Sequence, residues 1–192
     1  METTRHQLAI FASGTGSNAR KIIEYFRDHP TIRVALVVSN KPDAPVLAMA
    51  QSHQIETAVI NRKSFYESED ILDTLREHEV DLVILAGFLW LVPDYLIRAF
   101  PRRIINIHPA LLPRYGGKGM YGHHVHQAVW EAREPESGIT IHYANEHYDE
   151  GDIIFQIKCV LAPEDSPEDI ARKVLELEHY YFARVIERVL GE

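Results

Sequence analysis

The sequence predicts an α/β fold: a twisted, mostly parallel sheet with helices on both faces and mixed strands in the carboxyl-terminal half. Three observations point to it. Apolar runs of strand length alternate with amphipathic helical spacing through the first half of the chain. Glycine, proline and asparagine breakers fall between them, at intervals suited to strand-helix-strand units. Further on, two segments alternate polar and apolar residues as half-exposed strands do.

Residues 7–13 (QLAIFAS) read as a buried strand, followed by a glycine-rich turn and a helix over 19–28. Residues 32–39 (IRVALVVS) form a second strand, 45–54 a second helix and 57–61 a short third strand. The polar segment 64–79, with Phe65, Ile71, Leu72 and Leu75 spaced along it, predicts one amphipathic helix. Residues 81–87 (DLVILAG) make the most apolar strand; 93–100 is a short helix opening on a proline, and 103–107 is the next strand. After a helix over 122–134, segments 137–144 and 153–161 read as strands that either pair as a hairpin or extend the sheet in mixed fashion. Helical spacing through Ile170, Val174, Leu177, Tyr181, Val185 and Val189 closes the chain, and Ser166, Pro167 and Asp169 suit a helix start. No repeat, low-complexity segment or linker interrupts it, so a single domain over 1–192 is expected.

Size and composition agree. A chain of 192 residues, 46% hydrophobic and 25% charged, buries roughly 70% of its unfolded surface without a disulfide or metal staple. The lone cysteine, Cys159, has no internal partner, and its alternating apolar surroundings suggest a buried thiol. A net charge of −8 argues against a broad nucleic-acid surface. It leaves room for a small anionic ligand held by local amides. The start of the chain lacks an apolar leader core, and no run reaches the length of a membrane span. A cytoplasmic enzyme, monomeric or homodimeric and acting on small molecules, is the expectation.

The segment SGTGSNA (13–19) lies where the first strand hands over to the first helix. Its glycines permit close approach of the backbone to a ligand, and free amides at the helix start favour an anion. Gly16, Ser17 and Asn18 are therefore candidates for a substrate phosphate, although a tight turn with an N-cap accounts for the segment equally well. Gly14, Gly16 and Ala19 also satisfy a loose dinucleotide fingerprint of the Rossmann type. The acidic ribose partner of that fingerprint is missing, because Ser39-Asn40-Lys41 occupies its position.

Asn106 and His108 are two apart on a strand and so share one face, at the carboxyl end where open α/β sheets place ligands. An amide beside an imidazole suits a reaction that builds charge on a carbonyl oxygen: Asn106 donates to the oxyanion, and protonated His108 stabilises it and later protonates a leaving amine. Read alone, the pair is accounted for as readily by loop satisfaction and a strand cap. Beyond them, Gly116, Gly117, Gly119 and Gly122 mark a loop that either moves over a substrate or is a rigid, turn-rich connection. His123, His124 and His126 cluster at a helix start without a recognisable ligand set, so a polar, partly solvated helix start is expected and no metal.

The stretch NIHPALLP (106–113) resembles the Asn-x-His-Pro-Ser-Leu-Leu-Pro pattern of the 10-formyltetrahydrofolate-dependent formyltransferases, with Ala110 in place of serine. RYGGKGMYG (114–122) is similar to the glycinamide ribonucleotide branch, and the likeness runs from about residue 7 to 190. The resemblance implies a third catalytic group at Asp149, after the histidine-bearing strand IHYANEHYDEG (141–151), with His142 in support. A carboxylate there favours the His108 imidazolium. The resemblance further implies that Gly16, Ser17, Asn18 and Glu178 hold the acceptor; Glu178 alone would read as a solvated helix residue. Leu89, Trp90, Leu91 and Val92, with Asn106, Asn145, Glu146, His147, Tyr148 and Asp149, would line the folate site. Trp90 stands where some relatives carry a basic residue, and Arg62 and Lys63 are the candidates for a cation at the folate tail.

The reaction implied is formyl transfer from 10-formyltetrahydrofolate, a co-substrate, to the amine of 5′-phosphoribosylglycinamide in purine biosynthesis. Direct attack would pass through a tetrahedral intermediate. Other acceptors within the family are an amino sugar nucleotide, methionyl-tRNA or water; a tRNA enzyme would usually carry a further domain and a basic surface. Outside catalysis, a dinucleotide-binding module would keep the first loop and need no Asn106, His108 and Asp149.

Overall fold

A computed structural model describes residues 5–191; residues 1–4, part of the stretch read for a leader, and residue 192 lie outside it. The strands β1 (His6–Phe11), β2 (Ile32–Ser39), β3 (Glu56–Val59), β4 (Val80–Leu85), β5 (Ile104–His108), β6 (Glu136–Tyr143) and β7 (Ile153–Val160) form one sheet in the order β3-β2-β1-β4-β5-β6-β7. β1 to β5 pair in parallel, whereas β6 is antiparallel to both β5 and β7. Both arrangements left open for the last two strands are therefore realised at once.

The continuous apolar runs follow from burial on both faces. In β1, Leu8 and Ile10 enter one hydrophobic cluster while Ala9 and Phe11 enter the other. β7 alternates because it is an edge strand with one face toward solvent. That position leaves Cys159 half-buried rather than enclosed; burial still raises its pKa.

The helices are α1 (Ser17–Phe26), α2 (Pro45–Ser52), α3 (Arg62–Glu67), α4 (Asp70–Glu77), α5 (Asp94–Ala99), α6 (His123–Glu131) and α7 (Pro167–Gly191). The single helix expected over 64–79 is two. Asn61 caps α3 by accepting the Ser64 amide at 2.9 Å. Ser68 then ends that helix: its backbone is extended, and its hydroxyl bonds back to the Ser64 carbonyl at 2.8 Å. At the start of α7, Ser166 Oγ accepts the Asp169 amide and Asp169 Oδ2 accepts the Ser166 amide, a reciprocal cap that fixes where the helix begins. Its buried face carries Ile170, Val174, Glu178, Phe182 and Ile186 at four-residue intervals. Glu178 thus lies on the apolar stripe and is buried, not solvated.

Candidate active site

The loops leaving the carboxyl ends of β1, β4 and β5 surround a cavity of about 900 Å³, closed on the far side by α6 and α7. This is the crevice where strand order departs from chain order, the position at which open α/β sheets bind ligands.

At one end lies the loop before α1. Gly16 adopts φ 74° and sits so close to α2 that an added Cβ would fall 2.3 Å from Val46 Cγ2. Only glycine meets both demands. Gly16 therefore shapes the turn, and neither it nor Ser17 lines the cavity; Ser13, Gly14 and Asn18 do. Lys41, at the end of β2, joins them. Asn18 Nδ2 donates to Glu178 Oε2 at 2.7 Å, tying the loop to α7. Burial pushes Glu178 up to about 7, with the Asn18 bond pulling the other way.

Leu89, Trp90, Leu91 and Val92 line the cavity as well, together with Asn145, His147, Tyr148 and Asp149. Glu146, expected with them, is exposed and outside the lining, because it occupies the outward position of this turn. Trp90 belongs to an aromatic group with Phe65, Tyr66 and Phe88. Arg62 stacks over the Tyr66 and Trp90 rings, 5.3 and 5.9 Å from their centroids. Ser13, which is buried, joins the loop before α1 to this segment: its Oγ accepts the Leu89 amide at 3.0 Å.

Asn106, His108 and Asp149 come together. Asn106 pairs directly opposite His142 in the β5–β6 register. His142 Nδ1 donates to the Tyr143 carbonyl at 2.9 Å, so its Nε2 carries the lone pair that accepts Asn106 Nδ2 at 3.0 Å. The same Asn106 amide nitrogen donates to Asp149 Oδ1 at 3.3 Å. Both amide protons are thereby taken, and the carbonyl oxygen has no protein partner among the described residues. This differs from the expected donation to an oxyanion, which would require giving up one of those bonds; the longer, to Asp149, is the more easily exchanged.

His108 is held at both nitrogens. Nε2 donates to the Tyr115 carbonyl at 2.7 Å, and Nδ1 faces Asp149 Oδ2 at 3.4 Å. Burial is the largest influence on its pKa and holds it below the ordinary histidine value; Asp149 and the Tyr115 carbonyl push it up, as expected of the carboxylate, without prevailing. For Asp149, burial alone would raise the pKa. His142, with its Nε2 3.6 Å away, the His108 charge and the Gly117 amide at 3.0 Å outweigh it, so Asp149 lies below the usual carboxylate range. Asp149 occupies a left-handed conformation, φ 59°, which aspartate tolerates better than most residues. Gly151 has no such latitude, since a Cβ there would fall 1.7 Å from the Tyr143 carbonyl oxygen that orients His142.

The residues 6–186 match the formyl transferase family. The chain belongs to that family. It is 43% identical over its whole length to the chloroplastic phosphoribosylglycinamide formyltransferase of Arabidopsis thaliana, covering 68% of that protein. Against the phosphoribosylglycinamide formyltransferase of Bacillus subtilis it is 36% identical, over 96% of this chain and 95% of the other. The crystal structure of phosphoribosylglycinamide formyltransferase from Anaplasma phagocytophilum superposes with a TM-score of 0.90 at 32% identity, covering 98% of this chain and 88% of that one. The sheet and its helices are thus those of a family whose fold was legible as mostly parallel α/β.

Three contributions escaped the sequence reading. Ser13 and Lys41 flank motifs that drew attention for other residues, and only tertiary contact reveals them. A strap of Arg114 and Tyr115 on Glu134, with the Tyr115 hydroxyl donating at 2.7 Å, fixes the carbonyl that holds His108. The burial of Glu178 could have been read from its four-residue register with Val174 and Phe182. Of the three clustered histidines, His123 and His124 are exposed as expected, whereas His126 is buried.

Proposed function

We infer that the chain transfers the formyl group of 10-formyltetrahydrofolate to the amine of 5′-phosphoribosylglycinamide. The observation that carries this is the placement of Asn106, His108 and Asp149 at mid-cavity, between a glycine loop suited to a phosphate and an aromatic-backed wall suited to a pterin. The likeness to relatives named for that reaction supports it.

In this reading the acceptor phosphate rests on Ser13, Gly14 and the start of α1, with Gly16, Ser17, Asn18 and Lys41 in support, and Glu178 holds the sugar end. The folate lies against Leu89, Trp90, Leu91 and Val92 and the loop of Asn145, His147, Tyr148 and Asp149, with Arg62 beside its tail. The acceptor amine attacks the formyl carbon. A new C–N bond forms, and the carbonyl π pair moves to oxygen. Asn106 meets the amine through its free carbonyl, aligning the nitrogen lone pair. His108 meets the oxyanion from its Nδ1 edge, which is shared only loosely with Asp149. The oxyanion pair then re-forms the carbonyl as the old C–N bond breaks, and the amine proton passes by way of His108 or water to the departing folate nitrogen, with Asp149 stabilising the imidazolium on the way. One domain, a cytoplasmic setting and a monomer or homodimer complete the proposal; no helix among the described residues is long and apolar enough to cross a membrane.

The test supplies 10-formyltetrahydrofolate with phosphoribosylglycinamide, an amino sugar nucleotide, or water alone, and follows the deformylated folate. Fast turnover with the first alone is expected. Equal or faster turnover with either of the others would reassign the acceptor.

A further inference from the structure

His126, on the buried face of α6, is 7% exposed, and its Nδ1 is enclosed with no hydrogen-bond partner among the described residues. Buried polar atoms in folded proteins are nearly always paired. His126 also lines the cavity, as does Glu178 of α7. Packing alone does not call for histidine here: Val125 and Val129, its neighbours on the buried face of α6, are aliphatic and fully enclosed. No group of three potential metal ligands occurs among the described residues.

The chemistry narrows the partner. Burial, reinforced by His123 and His108, pulls the His126 pKa down to about 4, so the ring is neutral near pH 7. A neutral imidazole offers one N–H and one lone pair. It suits a hydroxyl or an amide carbonyl rather than a phosphate. His108 lines the same cavity.

We propose that His126 is a binding residue for the acceptor, hydrogen-bonding an oxygen of its uncharged middle, a ribose hydroxyl or the glycinamide carbonyl. This rests on the acceptor assignment above.

The experiment compares wild type, His126→Phe and His126→Gln at varied phosphoribosylglycinamide and varied 10-formyltetrahydrofolate, with thermal midpoints measured alongside. His126→Phe keeps a flat ring without hydrogen bonds. It should raise the acceptor KM by about tenfold, equivalent to about 1.4 kcal/mol, with kcat and the folate KM within about threefold of wild type. His126→Gln should recover most of the loss. An unchanged acceptor KM in His126→Phe overturns the proposal, as does a rise in both KM values with a lowered midpoint that Gln does not correct. Should neither variant fold, nitrogen NMR of the wild-type His126 ring decides: a shift on adding phosphoribosylglycinamide without folate is expected, and none overturns it. A dideoxyribosyl acceptor assigns the oxygen, because the Phe penalty vanishes for a hydroxyl contact and persists for the carbonyl; either supports binding. If wild type itself fails to use phosphoribosylglycinamide, the acceptor assignment falls instead, so the two failures are distinct.

Discussion

Asp149→Asn removes one charge from the site and little else. The side chain is nearly isosteric, and asparagine tolerates the left-handed backbone at φ 59°. What disappears is the carboxylate 3.4 Å from His108 Nδ1, between side chains that are 10% and 4% exposed. Charges at about this separation interact by about 4 to 5 kcal/mol at an effective dielectric constant of about 20. Removing one partner of a buried pair costs about 3 to 5 kcal/mol. Taking about 3 kcal/mol as the part felt by the imidazolium during proton transfer, turnover should fall roughly a hundredfold. Asparagine also turns a donor toward either Gly117 N or Asn106 Nδ2, so some of the loss is misorientation of Asn106. The pH profile separates the two contributions. Asp149 raises the His108 pKa against burial, so its removal lowers that pKa further. His108 loses its proton as pH rises through the pKa, and the alkaline fall in turnover should therefore begin at lower pH in the variant. Steady-state kinetics from about pH 5 to 9 on folded protein is the assay. Turnover within about threefold of wild type, with an unmoved alkaline limb, would refute the reasoning.

Glu178→Gln should keep the Asn18 contact while abolishing a buried charge. The folded pKa of Glu178, about 7, lies above the ordinary 4.5, so its stability contribution is full below about pH 4.5 and is lost as pH rises through 7, a difference worth about 3 kcal/mol. Thermal melts should show a larger gain for the variant at pH 8 than at pH 5, and equal gains would contradict the assignment. Gly16→Ala places a methyl against Val46 in a left-handed turn and should raise the KM for the phosphorylated acceptor while sparing that for folate, as steady-state titration of each substrate would show. Gly151→Ala should displace the Tyr143 carbonyl, release His142 and lower kcat by tenfold or more, about the loss expected when a proton-transfer group is misplaced; a near-normal kcat in a folded variant argues against His142 as the orienter of Asn106.

Sequence patterns revealed what local physics controls. Strands buried on both faces read as unbroken apolar runs, and Ser166 with Asp169 announced the start of α7 because the cap is formed by residues three apart. The order of strands is not local. Nothing in residues 80–85 or 104–108 states that β4 lies beside β1, or that β5 marks the change from parallel to antiparallel pairing. In the site, the shared face of Asn106 and His108 followed from strand periodicity, whereas Asp149 came from resemblance because a loop has no period to read. The donor assignments of Asn106 depend on the His142 tautomer, set in turn by the Tyr143 carbonyl, a relay across two strands that spacing cannot express.

The place of β6 between β5 and β7 has a consequence for how the protein loses activity. Fraying begins at sheet edges, where one row of backbone groups has no neighbour. The sheet has two edges, β3 and β7; on the β7 side, β6, which carries His142 opposite Asn106, is enclosed by partners on both sides. A one-residue slip between β5 and β6 would turn His142 to the wrong face. β7 therefore acts as an outer fender, opening before β6 in native-state hydrogen exchange while the register that aligns the reacting groups holds until the sheet itself comes apart.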